Sequence, residues 1–222
     1  MARAPSATIV VLNYNYARFL HRSIESALAQ TWPFVQVVVV DDCSTDNSRE
    51  VIAEYAGKVD AVLQPRNGGH GAGMNAGFAV ARGEVVIFLD ADDFLYPTAV
   101  ERVMESRAAD AAQYQYRMNL VDADGSPFDT YPAPEMALEG GDVVPALLRK
   151  GRYSTTVTSG LAFERRALEA VLPMDPEAFR QGGDGYLVTV APLYGRVVTI
   201  DEILAAYCQH GVNHSQTAVG AG

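Results

Sequence analysis

Four short apolar runs divide the first hundred positions, and between them apolar residues recur at helical spacing. Thr8–Leu12, reading TIVVL, is β-branched and apolar throughout, which predicts a strand buried on both faces. In Ala17–Gln30 the residues Phe19, Leu20, Ile24, Ala27 and Leu28 mark one face of a helix. Val35–Val40 is a second continuous run and ends in Asp41-Asp42; Ser44, Thr45 or Asp46 can cap a helix running to about Tyr55. Val59–Leu63 is a third short strand. Asn67–Gly77 is rich in glycine and leads into a helix of small residues. Val85–Leu89 is the fourth strand, and Pro97 suits the first turn of a helix over Thr98–Ala109. Strands alternating with helices predict an α/β domain: a parallel sheet with helices on both faces.

The second half is less regular. Gln113–Leu120 alternates like a strand, and DADG at Asp122–Gly125 has the composition of a hairpin turn. Gly140–Lys150 and Arg165–Leu172 read as short helices, Gly185–Tyr194 as another, and Val197–Ile200 and Leu204–Tyr207 as two strands. The terminal AVGAG is too small and uniform to pack. No internal repeat is visible. At 222 residues the chain fits one domain.

Charge narrows the partners. The formal net charge is −10, with two lysines, Lys58 and Lys150. Nucleic acid, which needs clustered cations to neutralise phosphates, is excluded. A phosphorylated small ligand is not, because carboxylates can hold a divalent cation that neutralises it. Two cysteines, Cys43 and Cys208, form no disulfide framework. No apolar run approaches the ~20 residues of a membrane span, and the first residues lack a signal-peptide layout; the expected location is cytoplasmic, with peripheral membrane contact left open.

In open parallel sheets, ligands bind beyond the carboxyl ends of the strands. Three polar clusters fall there: Asn13-Tyr14-Asn15, Asp41-Asp42, and Asp90-Ala91-Asp92-Asp93. A single Asp at such a place often caps the next helix. Several carboxylates on one rim repel each other unless a cation or hydrogen-bond donors are present. A hard divalent ion with phosphate oxygens in its remaining positions meets both needs. The same tripeptide recurs at Asp122–Asp124 with no apolar run before it, an internal control that reads as turn chemistry.

Taken in order, TIVVLNYNYARFLHRSIESALAQTW, VVVVDDCSTDNS and RNGGHGAGMNAGFAVARGEVVIFLDADD resemble the successive motifs of the family 2 glycosyltransferases with the GT-A fold, and the similarity runs from Thr8 to about Ser215. The resemblance implies one GT-A domain over 1–222, with a nucleotide-sugar-binding half over 1–110 and an acceptor-binding half over 111–215; the small, uniform composition of 216–222 predicts a disordered tail. It implies a nucleotide-sugar donor, UDP- or dTDP-linked, and a hydroxyl acceptor that is a saccharide, lipid-linked or small. Asp42 then contacts the base with Tyr14 beside it, flanked by Asn13 and Asn15. Asp90, Ala91 and Asp92 serve the ribose or sugar and the metal, with Asp92 as the direct ligand of Mn²⁺ or Mg²⁺.

Asn75 and Gly77 are placed near the donor by the same resemblance, although glycines there also suit a helix lying close on a sheet. No lysine accompanies them, so the segment is not a P-loop. FRQGGDGYLVTVAPLYG, from Phe179 to Gly195, is similar to the family segment carrying the base that deprotonates the acceptor, which falls on Asp184; Gly183 stands where the family usually has Glu. YCQHGVNHS resembles the closing motif whose histidine approaches the metal, here His210, while His214 reads as solvated. His70 reads as an exposed loop residue. Two other functions compete: a non-catalytic nucleotide-sugar binder, and a haloacid-dehalogenase-type phosphatase, whose Asp-x-Asp normally follows its first strand rather than its fourth.

Overall fold

The structure, a computed structural model, describes residues 6–210. Its first half follows the apolar pattern. Strands β1 (Ala7–Asn13), β2 (Val35–Asp41), β3 (Asp60–Leu63) and β4 (Val85–Asp90) alternate with helices α1 (Ala17–Leu28), α2 (Ser48–Glu54) and α3 (His70–Val80). The four strands pair in parallel in the order β3-β2-β1-β4. Side chains alternate across the sheet. Ile9, Val11, Val37, Val39, Val85, Ile87 and Leu89 face one core, packed with Leu20, Ile24 and Ala27 of α1. Val10, Leu12, Val38, Val40, Val86 and Phe88 face the other, with Met74 of α3. Burial on both faces is what made these strands continuous apolar runs.

The second half extends the same sheet. After the two-residue strand β5 (Phe94–Leu95) and helix α4 (Ala99–Glu105) come the long β6 (Ala111–Val121), β7 (Pro127–Tyr131), α5 (Val144–Lys150), β8 (Leu161–Glu164), α6 (Arg165–Val171), α7 (Gly183–Val190) and β9 (Arg196–Cys208). Beyond β4 the sheet is mixed: β8 pairs antiparallel with β4 and β6, β6 runs parallel to β9, and β7 is an antiparallel partner of β6. This agrees with the mostly parallel, Rossmann-like sheet expected of the GT-A fold, the antiparallel pairs being gathered in this half. The helix expected over Gly185–Tyr194 starts at Gly183, and its last turn is a 3-10 turn, Ala191–Tyr194. The two strands expected between Val197 and Tyr207 are one. Asp201, Glu202 and Ile203 are exposed in its middle and the pairing slips at Arg117, so the apolar pattern lapses without ending the strand. The Asp122–Gly125 turn is present: Asp122 Oδ1 accepts from the backbone N–H of Asp124 (3.0 Å) and Ser126 (2.9 Å). His214 and the 216–222 tail lie outside the described residues.

Gly77 sits where α3 crosses the sheet. A Cβ there would overlap a methyl of Val10 and stand 3.2 Å from one of Val40. Gly77→Ala should therefore lower stability by ~1–3 kcal/mol through overpacking, outweighing the better helix propensity of alanine. Thermal denaturation checks it; a raised melting temperature would mean the helix has room to lift.

Candidate functional site

The strand order 3-2-1-4 reverses direction between β1 and β4, which opens a crevice at their carboxyl ends. The side chains at that rim do two different jobs. Asn13 and Asp41 are spent on structure. Asn13 Nδ2 donates to Asp41 Oδ1 (2.9 Å) and to Ser44 Oγ (3.1 Å), and Arg49 Nε closes on Asp41 Oδ2 at 2.9 Å. Asn15, at φ 60°, accepts on Oδ1 from the N–H of Thr45 (2.7 Å) and Asp46 (3.3 Å). These bonds tie the β1–α1 loop to the β2–α2 loop. Tyr14, between Asn13 and Asn15 in the chain, is half-buried.

Asp42 holds the glycine-rich loop. Its Oδ1 accepts from Gly68 N–H (2.8 Å) and Gln64 Nε2 (2.9 Å), and its Oδ2 from Gly69 N–H (2.7 Å). Burial, only partly offset by those amides and by the charge of Arg180, leaves its carboxyl above the usual range. A pocket of about 140 Å³ opens alongside, bounded by Arg66, Asn67, Gly68, Pro176, Glu177 and Arg180. A larger cavity of about 300 Å³ at Arg107, Glu164 and Arg166 lies at the opposite end of β4, where Glu164 pairs with Val85, and is remote from the rim.

The same loop ties the two halves together. His70 N–H donates to Arg180 O (2.8 Å) and Gly71 N–H to Phe179 O (2.9 Å). Asn75 uses both ends of its amide on Met174, donating to its carbonyl (2.8 Å) and accepting from its N–H (3.0 Å). Asn75 is thereby occupied with the second half, and Gly77 with the sheet, rather than with the crevice.

At the end of β4, Ala91 is buried and its N–H continues the ladder to Leu12 O (3.0 Å). Asp90 N–H donates to Ser159 Oγ (3.1 Å), which brings a turn of the second half against the strand end. Asp92 Oδ2 meets His210 Nε2 at 2.9 Å, two buried side chains 118 positions apart in sequence. Phe19 and Tyr16 at the start of α1 hold the imidazole. Phe19 stacks on it at 4.5 Å between ring centres, and Tyr16 meets it edge-on at 5.6 Å. Asp93 points the other way and accepts from Cys208 N–H (2.9 Å), fixing the end of β9 just before His210. Burial, then the charges of Asp92 and Asp90, push Asp93 well above the ordinary carboxylate range. Asp90 is raised by the same burial and by Asp92 and Asp184, against the pull of His70.

Asp184 is the second residue of α7, near enough for its charge to raise Asp90, His70 and Tyr131. It makes no capping hydrogen bond to its helix. His70, expected as an exposed loop residue, is instead the first residue of α3, with Nε2 buried and 3.6 Å from Asp90 Oδ1. His70, Phe19 and Ser159 do not stand out as site residues in the sequence, and Asp93 is legible only as a member of the acidic cluster. For His70 a signal was present: it is flanked by Gly69 and Gly71, the close-approach positions at which segment 179–180 lies against it.

A crevice at a sheet's reversal point, lined by carboxylates from the strand ends and by a histidine and a carboxylate from the second half, defines a nucleotide-binding α/β transferase architecture. Residues 8–167 match the family described as Glycosyl transferase family 2, and the chain belongs to that family. An uncharacterized glycosyltransferase of Nostoc sp. is 37% identical over 219 residues, which are 96% of this chain and 68% of that protein. Among solved structures, S. aureus TarS in complex with UDP superposes with a TM-score of 0.69 at 24% identity, over 92% of this chain and 60% of that one. A mannosyltransferase from Pyrobaculum calidifontis in complex with GDP-Man and Mn²⁺ gives 0.66 at 19%, over 92% and 57%. These likenesses show the GT-A fold. No helix among the described residues is long and apolar enough to cross a membrane.

Proposed function

We propose that this chain transfers a sugar from a nucleoside-diphosphate donor, UDP- or dTDP-linked, to an acceptor hydroxyl with inversion at the anomeric carbon. The observation that carries the reading is the convergence of Asp90, Asp92, His210 and Asp184 on one crevice from three separate parts of the chain. The complexes of TarS with UDP and of the Pyrobaculum mannosyltransferase with GDP-Man and Mn²⁺ support the donor class and the need for an ion.

Asp92 and His210 fit a divalent cation. Two adjacent ligands of a small octahedral ion stand about 3 Å apart, close to the 2.9 Å between Oδ2 and Nε2. Among the described residues no third His, Cys, Asp or Glu joins them in a preformed cage, so the remaining positions suit phosphate oxygens and water. Bound there, Mn²⁺ or Mg²⁺ supplies the positive charge that stabilises the leaving diphosphate. The chain's own residues do the rest. Asp184 accepts the acceptor's hydroxyl proton as that oxygen bonds to the anomeric carbon and the bond to diphosphate breaks.

Thermal shift with UDP, dTDP and GDP, each with Mn²⁺ or with EDTA, tests the donor class. A ligand at a hundred times its Kd adds about 2.7 kcal/mol to stability; stabilisation is expected only with the ion. If no nucleoside diphosphate moves the melting temperature under either condition, the reading fails.

Asp42 is proposed to read the ring N–H of a uracil or thymine base. Asp42→Ala should weaken UDP binding by ~1.5–3 kcal/mol. It should also lower the melting temperature, because the Gly68 and Gly69 amides lose their acceptor. Calorimetry with UDP separates the two effects: unchanged affinity in the folded variant would reduce Asp42 to a loop anchor.

A further inference from the structure

His70 does no work in the transfer as described above, yet it stands close to residues that do. Its Nε2 stands 3.6 Å from Asp90 Oδ1, at the end of β4, and the charge of Asp184, at the start of α7, acts on it as well. In the transfer proposed above, the sugar lies near Asp90, the neighbour that His70 faces. The imidazole is not there by slack. The His70 N–H is bound to Arg180 O at 2.8 Å. Gly69, at φ 84°, lies so close to that carbonyl that a Cβ would stand 2.5 Å from it. The backbone therefore holds the ring on a rigid helix start rather than on a loop. Its Nε2 is shielded from solvent, has no hydrogen-bond partner, and points at Asp90 Oδ1 across 3.6 Å.

That gap is too long for a hydrogen bond, and a buried polar nitrogen left without a partner is costly. A donor and a carboxylate acceptor set slightly too far apart to bond each other are placed to share one hydroxyl, which accepts from the first and donates to the second. Asp90 keeps a side chain about one-third exposed and His70 one about one-fifth exposed; Nε2 itself is covered, so a hydroxyl entering beside Asp90 reaches it with a small turn of the imidazole.

We propose that His70 is a specificity-determining residue for the donor: its Nε2–H and the Asp90 carboxylate bracket one hydroxyl of the transferred sugar. The inference rests on the nucleotide-sugar reading given above. It predicts that His70 contributes to the affinity for the sugar and nothing to that for the nucleotide, since Asp42 and the Asp92–His210 pair lie on other side chains.

The test is calorimetric titration, with Mn²⁺ present, of UDP, dTDP and GDP and of six commercial donors: UDP-glucose, UDP-galactose, UDP-N-acetylglucosamine, UDP-glucuronic acid, dTDP-glucose and GDP-mannose. The donor that the native protein binds most tightly is then measured against its parent nucleoside diphosphate in the variants. His70→Leu should cut the affinity for that donor about 5- to 10-fold, the worth of one hydrogen bond, and leave the nucleoside diphosphate unchanged. His70→Gln, which returns an N–H at the Nε2 position, should restore most of the loss. His70→Ala makes the same comparison if Leu does not fold. Equal losses for donor and nucleoside diphosphate, no loss, or no rescue by Gln overturns the assignment of His70 alone. Failure of the native protein to bind any of these ligands overturns it together with the donor reading.

Discussion

Asp184→Asn should leave a folded protein that binds donor and transfers ~10²–10⁴-fold more slowly. The asparagine keeps the size of the side chain but cannot take up the proton the acceptor hydroxyl must lose. The fold should barely notice. Asp184 makes no capping bond, and what it gives α7 is a favourable charge at a helix start, worth ~0.3–1 kcal/mol. Its environment argues for chemistry instead: its charge raises Asp90, His70 and Tyr131, and Gly182, in a left-handed conformation at φ 72°, turns the chain into α7 just before it. Donor affinity, melting temperature and initial rate on this one variant decide the matter. Near-normal transfer by a folded, donor-binding protein would assign the proton to another group.

Asp92→Ala should abolish the ion dependence of UDP binding. The substitution removes the carboxylate that meets His210 Nε2 at 2.9 Å. An imidazole by itself is a poor site for Mg²⁺ or Mn²⁺, which favour carboxylate oxygen. Asp122→Ala is the control. Its carboxylate serves only the turn between β6 and β7, so it should cost ~0.5–2 kcal/mol of stability, on the scale of a lost cap, and leave the response to Mn²⁺ intact. Titration of UDP with and without EDTA on the two proteins reads this directly; equal damage from both would remove Asp92 from the site.

What the sequence disclosed, and what it hid, follows from where water lies. The strands β1, β2 and β4 are buried on both faces, so each announces itself as an unbroken apolar run, and the polar residues that end them mark the crevice. β7 shows no such pattern because Pro127, Phe128 and Asp129 are all exposed, and β8 is four residues long. β9 was divided because solvent reaches its middle. At the site, the Asp-x-Asp and the later Asp184 were visible as residue types at strand and helix ends. The division of labour among them was not. Nothing in the spacing says that Asp41 is consumed by Arg49 and Asn13, that Asn75 is occupied by Met174, or that His70 turns inward; those outcomes depend on contacts between positions far apart in sequence.

The bonds from His70 and Gly71 to Arg180 and Phe179, with the amide of Asn75 on Met174, have a consequence for anyone rebuilding this protein. Segment 174–184 carries Asp184, the base proposed above to activate the acceptor, so it is the natural piece to exchange when a new acceptor is wanted. It is also the wall against which the glycine-rich loop is laid, and that loop is held from its other side by Asp42. A graft that alters the path of the chain at 179–180 would move His70 and slacken the loop, and acceptor engineering would then read out as a defect in donor handling. The transferable module is therefore the pair, 67–77 together with 174–184, and chimaeras should be cut outside both.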